Sequence, residues 1–258
     1  MNKILLFIPC FNCEKQIYRV LNSLNNEIFK LVNEIILIDN RSNDNTLNVI
    51  KKFIINHQNK NSFKLFLNNE NYSFGGSHKV AINYAKKNNF SHILVLHGDD
   101  QADINDIKKI NSEDLNRFDC IMGSRFLKGS NAKTYSFIKK IGNIIFNFLF
   151  SLFSKNKIHD LGSGLYIIKT SVFSDEKYLN FPDNLTFNYF LTLYMAKNNY
   201  ILKYFPISWK EEDQVSNVKI IKQTSELIKI LLLYILSSKK LFKRENIRKN
   251  FNYEEIKI

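Results

Sequence analysis

Between Val95 and Asp103 the sequence reads VLHGDDQAD. An apolar run ends in an imidazole, a glycine, two adjacent carboxylates, an amide and a third carboxylate. Asp103, directly before INDIKKI, suits a helix N-cap, whose side-chain oxygen accepts from unpaired backbone N–H groups. That role accounts for one carboxylate and leaves His97, Asp99, Asp100 and Gln101. Crowding such groups at a strand end is unfavourable unless a cation or hydrogen-bond donors offset their desolvation and repulsion. A divalent ion holding a diphosphate meets that need, because Mg²⁺ and Mn²⁺ take carboxylate and amide oxygens together with phosphate. Residues two apart on an extended segment point the same way, which places His97, Asp99 and Gln101 on one ion and turns Asp100 elsewhere.

The elements that would position these groups alternate along the chain. Apolar runs at ILLFIP (4–9), EIILID (34–39), KLFL (64–67) and HILVLH (92–97) are each followed by an amphipathic stretch, and CIMGSRF (120–126) opens the second half. Strands spaced by helices predict βαβ units and a buried, mainly parallel sheet, the α/β class. Ligands of such sheets bind at the carboxyl ends of the strands. The polar clusters PCFNCE, DNRSNDNT, HGDDQAD and GSRF all fall there. Neither a GxGxxG nor a GxxxxGK[ST] pattern occurs, so a dinucleotide fingerprint and a P-loop are both unsupported. CFNC (Cys10 to Cys13) has the spacing of a redox dithiol, but nothing else in the chain supports that chemistry, and zinc would need a second ligand pair.

At 258 residues, 45% hydrophobic and 14% aromatic, the chain is long and apolar enough to bury a sizeable core. Three cysteines, an odd number, predict a reduced, cytoplasmic setting. MNKILLFIPCFN turns polar too soon for a signal peptide. The net charge of +13 fits nucleic acid, an anionic membrane or a phosphorylated substrate, and equally a solvated lysine-rich surface. Aromatic residues interleaved in a basic strand face are not evident, so nucleic acid is not expected as a partner. Two segments, YSFIKKIGNIIFNFLFSLFSK and LIKILLLYIL (227–236), are apolar, aromatic or leucine-rich, and bordered by lysines. A core helix and a helix lying in a membrane interface both fit each of them.

Four segments, in order, resemble family 2 glycosyltransferases of the GT-A fold, and the dolichyl- or polyprenyl-phosphate hexose synthase branch in particular. The likeness spans roughly residues 3 to 220. IPCFNCEKQI resembles the family's first-strand motif, which implies Pro9, Phe11, Asn12 and Glu14 at the nucleotide pocket. IILIDNRSNDNT resembles the second-strand segment whose first aspartate contacts the base, matched by Asp39; Asn40 and Arg41 depart from the usual Asp-Gly. GGSHKVAINYA resembles the helix start beside the diphosphate and implies Lys79 as its basic residue. HGDDQAD matches the DxD position through Asp99 and Gln101, with His97 where the first aspartate is usual. Histidine there implies a softer, Mn²⁺-leaning site or weaker ion binding.

Later segments add to the likeness. GSRF implies Arg125 as a phosphate-binding guanidinium, with an ordinary salt bridge as its alternative role. HDLGSGLYIIK implies Asp160 as the acceptor-side carboxylate. SWKEEDQVSNVK implies a loop over the donor phosphates built from Trp209, Gln214, Ser216, Asn217 and Lys219. The helix at Ile138–Phe153 falls where the lipid-phosphate branch carries an interface helix. The resemblance thus implies a GT-A domain over 1–220 with a helical, basic tail at 221–258. It implies transfer of a hexose from a nucleoside-diphosphate sugar to a polyprenyl phosphate or a saccharide, with Mn²⁺ or Mg²⁺ and inversion at the anomeric carbon. Work on lipid-linked acceptors would place the enzyme on the cytoplasmic face of a membrane. A nucleotidyltransferase would use similar carboxylates, but would show a Gly-rich basic loop where this chain has PCFNCE.

Overall fold

A computed structural model describes residues 2–132, 134–213, 220–243 and 250–258. The first half alternates as its apolar periods require: β1 (Ile4–Cys10), α1 (Glu14–Asn22), α2 (Asn26–Leu31), β2 (Glu34–Asp39), α3 (Thr46–Asn56), β3 (Phe63–Asn68), α4 (Ser73–Lys87) and β4 (His92–Leu96). The second half carries α5 (Ser112–Arg117), β5 (Cys120–Ser124), α6 (Phe137–Ser154), β6 (Leu165–Lys169), α7 (Phe187–Lys197), β7 (Leu202–Pro206), α8 (Ile220–Leu241) and β8 (Tyr253–Ile256).

One eight-stranded sheet takes the order β7-β5-β6-β4-β1-β2-β3-β8. Strands β3, β2, β1 and β4 are parallel neighbours, and β5 is parallel to β7. β6 runs antiparallel between β4 and β5, and β8 antiparallel along β3. The mixed, mainly parallel sheet matches the expected GT-A architecture. The chain steps from β1 outward to β3 and then returns to β4 on the other side of β1. That reversal opens a crevice at the carboxyl ends of β1 and β4, where ligands of open α/β sheets bind.

Alternation along each strand builds two cores. Leu5 and Phe7 of β1 face a layer with Val80, Ala81 and Ala85 of α4 and Leu191 and Met195 of α7. Ile4, Leu6 and Ile8 face the other layer, with Ile17, Val20 and Leu21 of α1 and Ile50 and Ile54 of α3. Burial on both faces explains why these strands read as continuous apolar runs.

The 221–258 region contains more than the expected helical tail. α8 sends Leu227, Ile230, Leu231 and Tyr234 into the α4/α7 core layer, and residues 253–256 form the edge strand β8. Phe251 packs edge-on against Tyr72 at 5.3 Å, and Tyr253 lies 4.5 Å from Phe66. The Tyr72 hydroxyl donates to the Asn252 carbonyl at 2.9 Å. Removing residues 250–258 should therefore uncover β3 and cost about 2–3 kcal/mol, a fall in Tm of roughly 5–10 °C by calorimetry. An unchanged Tm would show that this strand adds nothing to the sheet.

Candidate active site

The loops after β1 and β2 are stitched into one wall. Asn12 and Arg41 adopt positive φ (49° and 61°), which bends both loops back over the strand ends. The Asn12 amide donates to Ser42 Oγ at 3.0 Å, and Asn12 Oδ1 accepts from the Asn43 amide at 2.8 Å. Glu14 Oε2 accepts from the Asn45 amide at 2.8 Å, and the Cys13 amide donates to Thr46 Oγ1 at 2.8 Å. The side chains of Asn12 and Glu14 therefore tie the two loops together, while Phe11 beside them is exposed. Asn40, at the departure from the family's Asp-Gly, accepts from Asn68 Nδ2 and the Tyr72 amide and ties β2 to the loop after β3.

Asp39 ends β2 and is 1% exposed. Its Oδ1 accepts from the Ser42 amide at 2.8 Å, while Oδ2 is buried with no hydrogen-bond partner. Burial pushes its pKa up, only partly opposed by the Ser42 bonds. An acceptor oxygen held dry in this way is suited to an N–H donor brought by a ligand.

After β4 the backbone does not stay extended. Gly98 approaches β1 so closely that a Cβ there would lie 2.9 Å from the Pro9 carbonyl, and its amide donates to that carbonyl at 3.1 Å. Asp100 then takes φ 58°. The turn breaks the alternation on which a shared ion for His97, Asp99 and Gln101 rested. The His97 ring packs edge-on to Phe74 (5.1 Å) and His78 (6.1 Å), under Gly164, where a Cβ would sit 2.8 Å from Nδ1. Burial holds its pKa down to about 3, and Nε2 is buried without a partner. Gln101 takes part through its main chain, its amide reaching Asp99 Oδ1 at 3.3 Å and its carbonyl accepting from Lys210. Among the described residues no three His, Cys, Asp or Glu side chains gather to hold a metal.

Asp99 remains the group suited to an ion. Burial pushes its carboxyl up to about 6, so its charged form is disfavoured in the ligand-free protein. Asp99 and Asp39 both raise the pKa of the buried Cys10 thiol, after burial itself and neighbouring Cys13, which places the two carboxylates around the end of β1. One carboxylate completed by a substrate's own diphosphate oxygens is a common way to hold Mg²⁺ or Mn²⁺.

Three residues expected at substrate are engaged elsewhere. Lys79 is wholly buried in α4, and its Nζ donates to the Leu179 and Phe181 carbonyls and to Asp183 Oδ1 (3.0, 2.6 and 2.7 Å). The Gly75 and Gly76 amides donate to the Asp183 carbonyl. The helix start expected to face the diphosphate thus fastens the 179–183 segment. Arg125 and Asp160 form a buried two-point pair, Nε to Oδ2 at 2.8 Å and Nη2 to Oδ1 at 2.7 Å. Asp160 also accepts from the Arg125 and Gly162 amides and is fully buried. Burial alone would lower the Arg125 pKa, but the Asp160 charge raises it above its ordinary value. Asp160 is therefore not open to take an acceptor's proton, and Arg125 is not a free phosphate ligand.

Trp209 is built in rather than loose: it pairs with Ala102 as a β-bridge, and Arg125 lies 4.9 Å over its ring. Gln214, Ser216, Asn217 and Lys219 lie outside the described residues. Sequence reasoning missed Arg19, whose Nε donates to Asp100 Oδ2 at 2.6 Å, and Lys210, whose Nζ reaches the same oxygen at 2.8 Å. It also missed Asn147 of α6, which binds the His159 carbonyl and the Leu161 amide and so holds the Asp160 loop. An asparagine inside an apolar helix was the available signal.

A family model described as "Glycosyl transferase family 2" matches residues 6–176. An uncharacterised protein of Methanocaldococcus jannaschii is 27% identical over 243 residues, covering 89% of this chain and 100% of that protein. Among solved structures, glucosyl-3-phosphoglycerate synthase from Mycobacterium tuberculosis with Mn²⁺, uridine diphosphate and phosphoglyceric acid superposes with a TM-score of 0.65 at 12% identity. The match covers 92% of this chain and 79% of that one. S. aureus TarS 1–349 with UDP-GlcNAc gives 0.59 at 17% identity, covering 91% and 67%. At these identities the likeness is one of fold.

The raised Asp99 has a testable sign. Its folded pKa of about 6 lies above the model-peptide value of 3.8, so the folded state holds the proton more tightly. Stability should fall as pH rises through roughly 4 to 6 and then level. Asp99→Asn should remove that fall and raise the ligand-free protein's stability at pH 8 by on the order of 1 kcal/mol in denaturant titrations. A variant less stable than the parent at pH 8 would contradict the assignment.

Proposed function

The chain belongs to glycosyl transferase family 2, and from that premise we propose that it moves a hexose from a nucleoside-diphosphate sugar to a polyprenyl phosphate at the cytoplasmic face of a membrane. The observation that carries the donor half is the pair Asp39 and Asp99, both pushed upward by burial beside the end of β1. Asp39 Oδ2, buried without a partner, would accept from an N–H of the base, and the stitched wall from Asn12 to Thr46 would enclose the nucleoside. Asp99 would hold a divalent ion against the diphosphate; when bound, Mn²⁺ or Mg²⁺ supplies positive charge to the departing group. The Mn²⁺ and uridine diphosphate named for the M. tuberculosis synthase support this arrangement by analogy of fold.

The acceptor half rests on what Asp160 is doing. Transfer to a sugar hydroxyl needs a carboxylate to take the proton, and the expected candidate is buried in four hydrogen-bonded contacts with Arg125 and Gly162. A phosphate monoester is already anionic. Its oxygen attacks the anomeric carbon, the bond from that carbon to the diphosphate breaks, and the nucleoside diphosphate leaves with the electron pair, inverting the centre. Arg125 and Asp160 then serve as the frame of the acceptor side, with Trp209 and Tyr135 against the guanidinium.

α6 supports the lipid half of the reading. Its polar residues face inward: Asn143 bonds Tyr135, Asn147 the Asp160 loop, and Ser151 the Ile158 backbone. Its outer face shows Phe137, Ile138, Ile145, Phe148 and Leu152, with Ile138 75% exposed. α8 adds Leu232 and Leu236. By length and composition α6 could cross a bilayer, yet the bonded polar stripe suits a helix lying on its surface. Basic residues Lys140, Lys239 and Lys240 at the helix ends would complement anionic headgroups.

The direct test is sugar transfer across a donor panel with Mn²⁺, with and without polyprenyl phosphate. Product should form only with the lipid, and Asp99→Asn should lower turnover by about 100-fold or more. Transfer to a free saccharide alone would replace the acceptor assignment, and an active Asp99→Asn would remove the ion reading. Separately, the parent should sediment with phosphatidylglycerol-containing vesicles, and Ile138→Glu with Phe148→Glu should release it. Equal sedimentation of both would place the membrane contact elsewhere.

A further inference from the structure

The second carboxylate of the DxD-like turn has a different occupation from the first. Asp100 adopts φ 58°, and its side chain is 11% exposed. Two cations meet on its Oδ2: Arg19 Nε at 2.6 Å from α1, and Lys210 Nζ at 2.8 Å from the segment after β7. Arg19 also reaches across with Nη2 to both oxygens of Asp213, at 2.8 and 3.1 Å. The main chain reinforces the same junction, the Lys210 amide donating to the Gln101 carbonyl at 2.9 Å.

The arrangement has two consequences for the neighbouring residue. Two positive charges satisfy Asp100, so it does not compete with Asp99 for an ion. The turn that aims Asp99 is also pinned from both sides of the crevice, since Asp100 supplies its left-handed residue. A non-glycine residue held in that region persists where its surroundings fix it.

We propose that Arg19 is a positioning residue of the ion–nucleotide site, acting through Asp100 to present Asp99. The inference rests on the reading of Asp99 as the ion's protein ligand. Partners that orient a metal ligand without touching the metal commonly set affinity by 10–100-fold, and Arg19 stands one residue further out.

The test separates nucleotide binding into metal-free and metal-dependent parts. UDP and GDP are titrated calorimetrically into the full chain with EDTA and then with Mn²⁺, and the tighter nucleotide is used throughout. The Arg19 side chain is 40% exposed, so Arg19→Met should fold with a Tm close to the parent's. It should leave metal-free binding unchanged and reduce the gain from Mn²⁺ by about 10-fold or more. Arg19→Lys, which restores the charge on Asp100, should recover part of that gain. An undiminished gain in Arg19→Met overturns the proposal, and so does an equal loss with EDTA, which would mark a merely structural role. A parent protein with no gain from Mn²⁺ for either nucleotide would overturn the ion reading of Asp99 itself, and is told apart by the parent titration alone.

Discussion

Desolvation governs the carboxyl end of this sheet. Several charged side chains are driven into a region with little water, where an ionised group is costly unless opposite charge or hydrogen bonds meet it. Most are met within the chain. The Lys79 ammonium finds two carbonyls and Asp183, Arg125 finds Asp160, and Asp100 finds Arg19 and Lys210. Asp39 keeps an oxygen without a partner, and Asp99 is held up to about 6. These paired groups join elements to one another, whereas Asp39 and Asp99 at the end of β1 have their pKa values raised chiefly by burial.

The same principle explains which residues the sequence made legible. Strand runs such as ILLFIP and HILVL are buried on both faces, and that burial is written directly in their composition. The positions of Asp39 and Asp99 follow, because a carboxylate closing such a run lies at the end of a strand in a known layer. Lys79, Arg125 and Asp160 were placed in the right neighbourhood by their motifs but given the wrong partners. Asp183 lies 104 residues from Lys79, and Asp160 lies 35 from Arg125, so no local pattern announces either pairing. The grouping of His97 with Asp99 and Gln101 failed for a more local reason. It assumed an extended backbone, whereas Gly98 and the left-handed Asp100 turn the chain within two residues. Strand β8 escaped notice because YEEI carries two charges in four residues and pairs through only one edge.

α6 inverts the usual amphipathic arrangement, and the inversion ties surface to site. A helix of a water-soluble domain buries its apolar stripe; here Phe150 is buried while Phe137, Ile138 and Phe148 stay outside. The inward stripe of Asn143, Asn147 and Ser151 repeats every four residues and hydrogen-bonds Tyr135 and the 158–161 backbone. Tyr135 in turn flanks Arg125. The helix thus carries an exposed apolar face on one side and its polar contacts to Tyr135 and the Asp160 loop on the other. The proposed polyprenyl phosphate would meet both faces at once, its phosphate on the side of the polar contacts and its chain along the exposed apolar side.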